Sequence, residues 1–207
     1  MESGFLSVFI ICLACYFIGS FPTAYLICKL KYNIDITEEG SGNVGMLNSL
    51  SVTKSKAVGI IVLLIDILKG LLPVFFMLFI LNIDYGITMA ASTCIILGHN
   101  YPFWLGFKGG RGLATGTGIF LILNYYIVAA WCIVWVIGFA IKRNVLISNA
   151  IATFLIPFYI FLVIKFEWLI VTWGLSSFSI FYFSLFSILT TLIIISKHLE
   201  IFKKNNS

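Results

Sequence analysis

Charge is what this sequence has least of. Of 207 residues only 10% are Asp, Glu, Lys or Arg, while 61% are hydrophobic, against about 25% and about 45–50% in an ordinary soluble domain. That excludes water as the solvent around most of the chain. Acidic residues are scarcer than basic ones, eight against 13, for a formal net charge of +5. Nucleic-acid binding would mass that excess on one domain; here the basic residues come in small groups between apolar runs, which excludes it. The five cysteines, Cys12, Cys15, Cys28, Cys94 and Cys132, lie in apolar runs without metal-ligand spacing or an extracellular domain to staple. They read as small buried apolar side chains. No Gly-x-x-x-x-Gly-Lys-Ser/Thr run occurs, which argues against an NTPase.

What is present is a series of apolar stretches long enough to cross a bilayer core, which takes roughly 17–25 residues per helix. They cover 3–28, 85–107, 112–141, 144–164 and 168–196, and a sixth, 57–81, is interrupted only by Asp66 and Lys69. The first is preceded by Glu2 rather than by basic residues and exceeds a signal-peptide core, so it reads as a retained helix. The stretch 112–141 is too long for one span and short for two, and the polar Asn124-Tyr125-Tyr126 within it predicts a break. Seven spans follow, near 5–30, 57–81, 84–98, 112–124, 127–142, 145–165 and 175–197. This count places Lys29, Lys31, Lys54, Lys56, Lys108, Arg111, Lys142, Arg143, Lys197, Lys203 and Lys204 on one face and leaves the other only Lys165. Cytoplasmic loops are the ones enriched in Lys and Arg. The expectation is an all-α integral membrane protein of the cell membrane, residues 1–207 forming a single polytopic domain, N-terminus outside and C-terminus cytoplasmic.

Two cytoplasmic connectors are richer in Gly, Asn and Ser than a short link requires. One runs Glu39-Gly40-Ser41-Gly42-Asn43-Val44-Gly45-Met46-Leu47-Asn48; the other covers 98–112, from Gly98-His99-Asn100 to Lys108-Gly109-Gly110-Arg111-Gly112. Glycine lets backbone N–H groups turn inward around an anion, and the second connector ends at a helix start, where free N–H groups also favour one. A phosphate suits that site; a plain loop obeying the positive-inside rule is the alternative. Asp66 and Lys69 stand about one turn apart inside a span, where each charge costs at least about 2.5–3.5 kcal/mol. They read either as a self-neutralising pair holding helices together or as part of a polar cavity, with Gly70 and Pro73 loosening the helix beside them. His99 and His198 fall at helix ends, where a histidine either caps carbonyls or serves a site.

These stretches together resemble the bacterial acyl-phosphate-dependent glycerol-3-phosphate acyltransferases, the PlsY family. The resemblance rests on Tyr16-Phe17-Ile18-Gly19-Ser20-Phe21-Pro22-Thr23-Ala24-Tyr25, on Gly40-Ser41-Gly42-Asn43-Val44-Gly45 with Asn48, on Asp66-Ile67-Leu68-Lys69-Gly70, and on Gly98-His99-Asn100-Tyr101-Pro102 followed by 107–115. It implies transfer of a fatty acyl group from acyl phosphate to the 1-position of glycerol 3-phosphate, at a cytoplasmic-face site in the bilayer, with no metal or CoA. It further implies that Lys108, Gly109, Gly110, Arg111 and Gly112 hold the acceptor phosphate, that Ser41, Asn43 and the backbone at Gly42 sit at the acyl phosphate, and that Gly40, Gly45, Asn48, Asp66, Lys69 and His198 belong to the binding site. Ser41 reads as nucleophile or hydrogen-bond donor and His99 as base or phosphate ligand, with direct transfer and donor roles favoured.

Two motifs depart from the family pattern. After Gly45 the chain reads Met46-Leu47-Asn48-Ser49-Leu50-Ser51, without the family's hydroxyl and arginine; Lys54 lacks the bidentate fork to replace the latter. The third motif appears only as His198-Leu199-Glu200-Ile201-Phe202-Lys203-Lys204. A divergent paralogue with altered acceptor or lost activity, and a non-enzymatic transporter or scaffold, are the competing readings. No internal repeat supports a transporter. The His-x-x-x-x-Asp spacing of other lipid acyltransferases is excluded, since the fifth residue after His99 is Trp104 and after His198 is Lys203.

Overall fold

A computed structural model of the chain describes residues 4–165 and 177–205, and all its regular structure is helical. Residues 175–176 of the last expected span lie outside the described residues, as do the side chains of Lys165 and of 200–204 in the expected third motif. Ten α-helices run in the order α1 (Phe5–Ser20), α2 (Thr23–Tyr32), α3 (Met46–Thr53), α4 (Lys56–Phe75), α5 (Tyr85–Asn100), α6 (Leu113–Leu123), α7 (Tyr125–Lys142), α8 (Val145–Phe154), α9 (Ile156–Lys165) and α10 (Ser177–Asn205). A π-helical turn (Phe76–Ile80) extends α4, and a 3-10 turn (Phe103–Leu105) follows α5.

Among the described residues five helices are long and apolar enough to cross a membrane: α1 with α2, α4 with its π turn, α7, α8 with α9, and α10. At 16 and 11 residues, α5 and α6 are shorter; at about 1.5 Å per residue α6 spans only about half of a ~30 Å core. The outer faces carry what a soluble fold would bury: Phe5, Ile133, Val136, Ile141, Phe154, Phe158 and Phe181 are all exposed. Hydrocarbon, not water, is the solvent such a surface fits, and the chain is an integral membrane protein. Cys15 and Cys28 are buried and Cys12 and Cys94 half-buried, as small apolar residues should be; Cys132 instead is exposed on the outer face of α7 beside Ile133.

The helix breaks have local causes. The first span, expected as one helix, is cut at Phe21-Pro22, because Pro22 has no N–H and pushes Phe21 out of the helical region (φ −59°, ψ 116°). The carbonyls this frees find partners from other segments: Lys69 Nζ donates to Phe21 O at 3.3 Å, and Trp104 Nε1 to Ser20 O at 3.0 Å. The stretch 112–141 breaks at Asn124, whose side chain accepts from the Tyr126 N–H at 3.1 Å and caps α7. Asn144 and Asp84 cap α8 and α5 in the same way.

Glycines let two pairs of helices approach closely. A Cβ on Gly19 would collide with the Ile95 carbonyl and one on Gly98 with the Tyr16 carbonyl, which locks α1 to α5. Gly70 and Gly118 serve α4 and α6 likewise, each meeting the other helix's backbone. Gly70 thus serves a close helix crossing, and α4 continues through it and through Pro73 to Phe75 before the π turn takes over at Phe76. With α1, α4, α5 and α6 held this tightly, the connectors at one end of the bundle are brought together, while α7, α8 and α10 form the opposite wall.

Candidate active site between the two glycine-rich loops

The first loop is folded around one side chain. Gly40 and Gly42 adopt left-handed φ values of 59° and 70°, turning the chain back over α3. Inside the turn, Asn48 accepts from the Ser41 N–H at 3.0 Å and donates to Ile36 O and Glu39 O at 3.2 and 3.0 Å. Asn48 is buried with its amide spent on the loop, so it shapes the site rather than facing a ligand. Ser41 is exposed, and its Oγ accepts from the Asn43 N–H. Asp35 closes the loop's start by accepting from the Thr37 hydroxyl and N–H, bonds that hold its carboxyl below the usual carboxylate range.

The second loop is tied to the end of α5. Gly110 donates its N–H to His99 O at 3.0 Å, and a side chain on Gly109 or Gly110 would strike the His99 carbonyl or ring. Close packing on His99 thus requires glycine at both positions. Val44 N–H reaches Gly109 O at 3.4 Å and joins the two loops. Gly112, at φ 80°, starts α6 without a side-chain cap, and leaves the first N–H groups of that helix free for an acceptor.

Between the loops lies an open cavity of about 870 Å³. Its lining combines polar groups, Asn43, Asp66, His99, Arg111 and Asn149 with the backbone at Gly45 and Gly112, and apolar ones, Met46, Leu47, Leu63, Leu113, Trp131 and Trp135. Asp66 is buried, pairs with Lys69 at 2.9 Å and stands 3.8 Å from His99 Nδ1. Lys69 is pinned between that carboxylate and Phe21 O, behind the cavity rather than on its wall. Arg111 Nη1 is buried without a hydrogen-bond partner among the described residues, and burial lowers its guanidinium pKa from the ordinary value. A guanidinium stays charged even so.

The expected site residues therefore divide. Asn43, Gly45, Asp66, His99, Arg111 and Gly112 share the cavity. Gly40, Ser41, Gly42, Asn48, Lys69, Gly109 and Gly110 build its frame. Lys108 parts from Arg111: it is exposed and lies 3.6 Å from Glu38 on the outside of the loops. His198 is buried in α10 with Nδ1 2.9 Å from Ile194 O and Nε2 without a partner among the described residues, and it does not line the cavity.

Sequence reasoning missed the α7–α8 wall. Trp135 Nε1 donates to Asn149 Oδ1 at 2.6 Å and Trp131 Nε1 to Thr153 Oγ1 at 3.1 Å. Two indoles four residues apart, followed in the next helix by two polar residues four apart, was the available signal. Lys197, counted only as a topological charge, instead donates to Phe107 O at 3.2 Å over the Tyr101 ring and fastens α10 to the second loop.

Comparison with known proteins places this arrangement. A family model described as glycerol-3-phosphate acyltransferase matches residues 9–205. A glycerol-3-phosphate acyltransferase of Pelagibacter ubique (strain HTCC1062) is 36% identical over 151 residues, 73% of this chain and 77% of the relative. One from Listeria monocytogenes is 37% identical over 150 residues, 70% and 74% of the two chains. A crystal structure of PlsY, an integral membrane glycerol 3-phosphate acyltransferase, in its glycerol 3-phosphate form superposes with a TM-score of 0.78 at 28% identity, covering 96% of this chain and 91% of that one. The lysophosphatidic acid form gives 0.77 over the same extents.

Proposed function

We propose, since this chain belongs to the glycerol-3-phosphate acyltransferase family, that it moves a fatty acyl group from acyl phosphate to the 1-position of glycerol 3-phosphate, giving lysophosphatidic acid. The observation that carries this is the mixed lining of the cavity: polar groups that include a half-buried Arg111, whose buried Nη1 has no hydrogen-bond partner among the described residues, and an uncapped helix N-terminus, and beside them apolar side chains and two indoles. A dianionic acceptor fits the first and a hydrocarbon-bearing donor the second.

In this reading Arg111 and the free N–H groups at the start of α6 hold the acceptor phosphate. Asn43 and the backbone at Gly45 face the donor phosphate, and His99 stands beside the reacting hydroxyl. The hydroxyl oxygen bonds to the acyl carbonyl carbon, the bond from that carbon to the phosphate oxygen breaks, and inorganic phosphate leaves with the electron pair and the proton. A mixed anhydride has a good leaving group, so alignment and charge stabilisation suffice. The exposure of Ser41, outside the cavity, favours this direct transfer over an acyl-enzyme. The chain acts as one polytopic unit with α5 and α6 as short crossings, seven in all, the N-terminus outside and the site on the cytoplasmic face.

The test is an assay of purified protein with palmitoyl phosphate and labelled glycerol 3-phosphate, with palmitoyl-CoA in parallel. Lysophosphatidic acid from acyl phosphate alone is the expected product. Product from the thioester only would overturn the donor. Inactivity with both would make this chain a divergent paralogue, to which the altered first and third motifs point.

A further inference from the structure

We propose that a second, apolar cavity deeper in the bundle receives the distal end of the donor's acyl chain, and that Gly116 and Phe120 set how long a chain it takes. This rests on the acyl transfer proposed above. The cavity, about 450 Å³ with its open mouth included, lies among α6, α7, α8, α9 and α10. Leu113 and Trp131 line both it and the loop-side cavity, so the apolar wall of the first leads into the second.

Its chemistry selects hydrocarbon over water. Three of the four threonines in its wall have their hydroxyls engaged elsewhere: Thr117 donates to Leu113 O and Thr190 to Phe186 O, both at 2.9 Å, while Thr153 accepts from Trp131; Thr191 is the fourth. A trapped water needs two to four polar partners, and the Thr191 hydroxyl by itself does not supply them.

Its floor is rigid. Phe120 is buried, with the rings of Phe186 and Phe183 at 5.4 and 6.4 Å, and Ile127 and Ile156 are buried beside it. Gly116 is the anomaly in the wall. A Cβ on Gly118 would collide with the neighbouring backbone, but one on Gly116 would meet only Ile194 Cδ1 at 3.7 Å and Ile96 Cδ1 at 4.0 Å, ordinary contacts. Gly116 lies within α6, where neither a turn nor a close crossing requires glycine and where glycine weakens the helix. What its missing side chain does provide is space in the cavity.

The test compares wild type, Gly116→Leu and Phe120→Ala with octanoyl, lauroyl, palmitoyl and stearoyl phosphate. Gly116→Leu should lower kcat/KM for the palmitoyl and stearoyl donors at least about tenfold, as lost methylene contacts in a closed pocket do, and the octanoyl donor by less than about threefold. Phe120→Ala should move the optimum toward stearoyl. Acceptor KM should stay put, and retained octanoyl turnover reports that the variants fold. Equal loss at every length, or an unchanged profile in both variants, overturns the proposal. A photoreactive fatty acid with a terminal diazirine decides the matter independently of turnover. It should label the wall segments of α6 and α10 in wild type and not in Gly116→Leu. Labelling confined to lipid-facing residues overturns the acyl-chain site, even if the protein transfers no acyl group at all.

Discussion

A buried guanidinium nitrogen without an acceptor destabilises a resting protein, and Nη1 of the half-buried Arg111 is such a group among the described residues, at the mouth of a helix with free N–H donors of its own. An anion is the occupant that offsets the cost. Arg111→Met should therefore raise the acceptor KM or abolish turnover, since a hydrogen bond to a charged group is worth about 1.5–3 kcal/mol, roughly ten- to a hundredfold. Donor KM should barely move; a change in donor KM alone would mean the two phosphates are assigned in reverse. Lys108 makes the internal control. Its exposure beside Glu38 places it in screened solvent, so Lys108→Met should alter acceptor KM less than about fivefold, a surface pair being worth at most about 1 kcal/mol. Asn48 tests the frame rather than the contact. Asn48→Ala would strand the buried Ile36 carbonyl, at about 1–3 kcal/mol, and release the exposed Ser41 N–H and Glu39 carbonyl to solvent, and should show as earlier thermal unfolding and faster proteolysis within 33–45.

At the scale of elements, the Asp66–Lys69 pair joins three segments. It neutralises charge within α4, it fills the carbonyl freed by the Phe21-Pro22 break, and it presents a carboxylate to His99. Lys69→Met removes the first two together and should destabilise the detergent-solubilised protein by about 3–5 kcal/mol, the usual cost of leaving a buried charge alone. Adding Asp66→Asn should recover part of that loss in the same thermal measurement; no recovery would mean that the Phe21 carbonyl, not the carboxylate, is what Lys69 serves. Here too lies the boundary of what the sequence discloses. Asn124 announced a helix break because a polar cap residue in an apolar run has few other uses, and Asp66 announced a cavity because a charge in hydrocarbon needs one. The glycine-rich loops were visible as loops, but their glycines divide between turning the chain and packing on His99, and composition does not separate the two. Trp131, Trp135 and Asn149 were hidden because aromatic residues in an apolar helix look the same whether they face lipid or a cavity.

For the whole molecule the question is which end of the bundle faces the cytoplasm. The site marks one end through contacts independent of charge. Ser20 at the end of α1 bonds Trp104, Gly45 at the start of α3 and Val145 at the start of α8 line the cavity, and Lys197 of α10 reaches Phe107. Lys29, Lys31, Lys54, Lys56, Lys142 and Arg143 are neighbours in sequence of those helix ends, so they gather at the site end with Lys108 and Arg111. Asp84, at the start of α5, lies a full helix of 16 residues from the loops, about 24 Å at the ordinary rise. We propose on this ground that the site end lies inside, as ends rich in basic residues do; a soluble dianionic acceptor would then reach Arg111 from the cytoplasm and a lipophilic donor would enter from the bilayer. Cysteines placed singly at Lys108, Lys142 and Asp84, in a chain whose own cysteines are replaced, should divide on labelling of intact cells with a membrane-impermeant maleimide. Asp84 should label from outside, and the other two only after permeabilisation. If Lys108 and Lys142 react from opposite sides, α6 and α7 do not cross separately, and the count of seven fails together with the shared site end; if both react from outside, the count survives and the orientation is reversed.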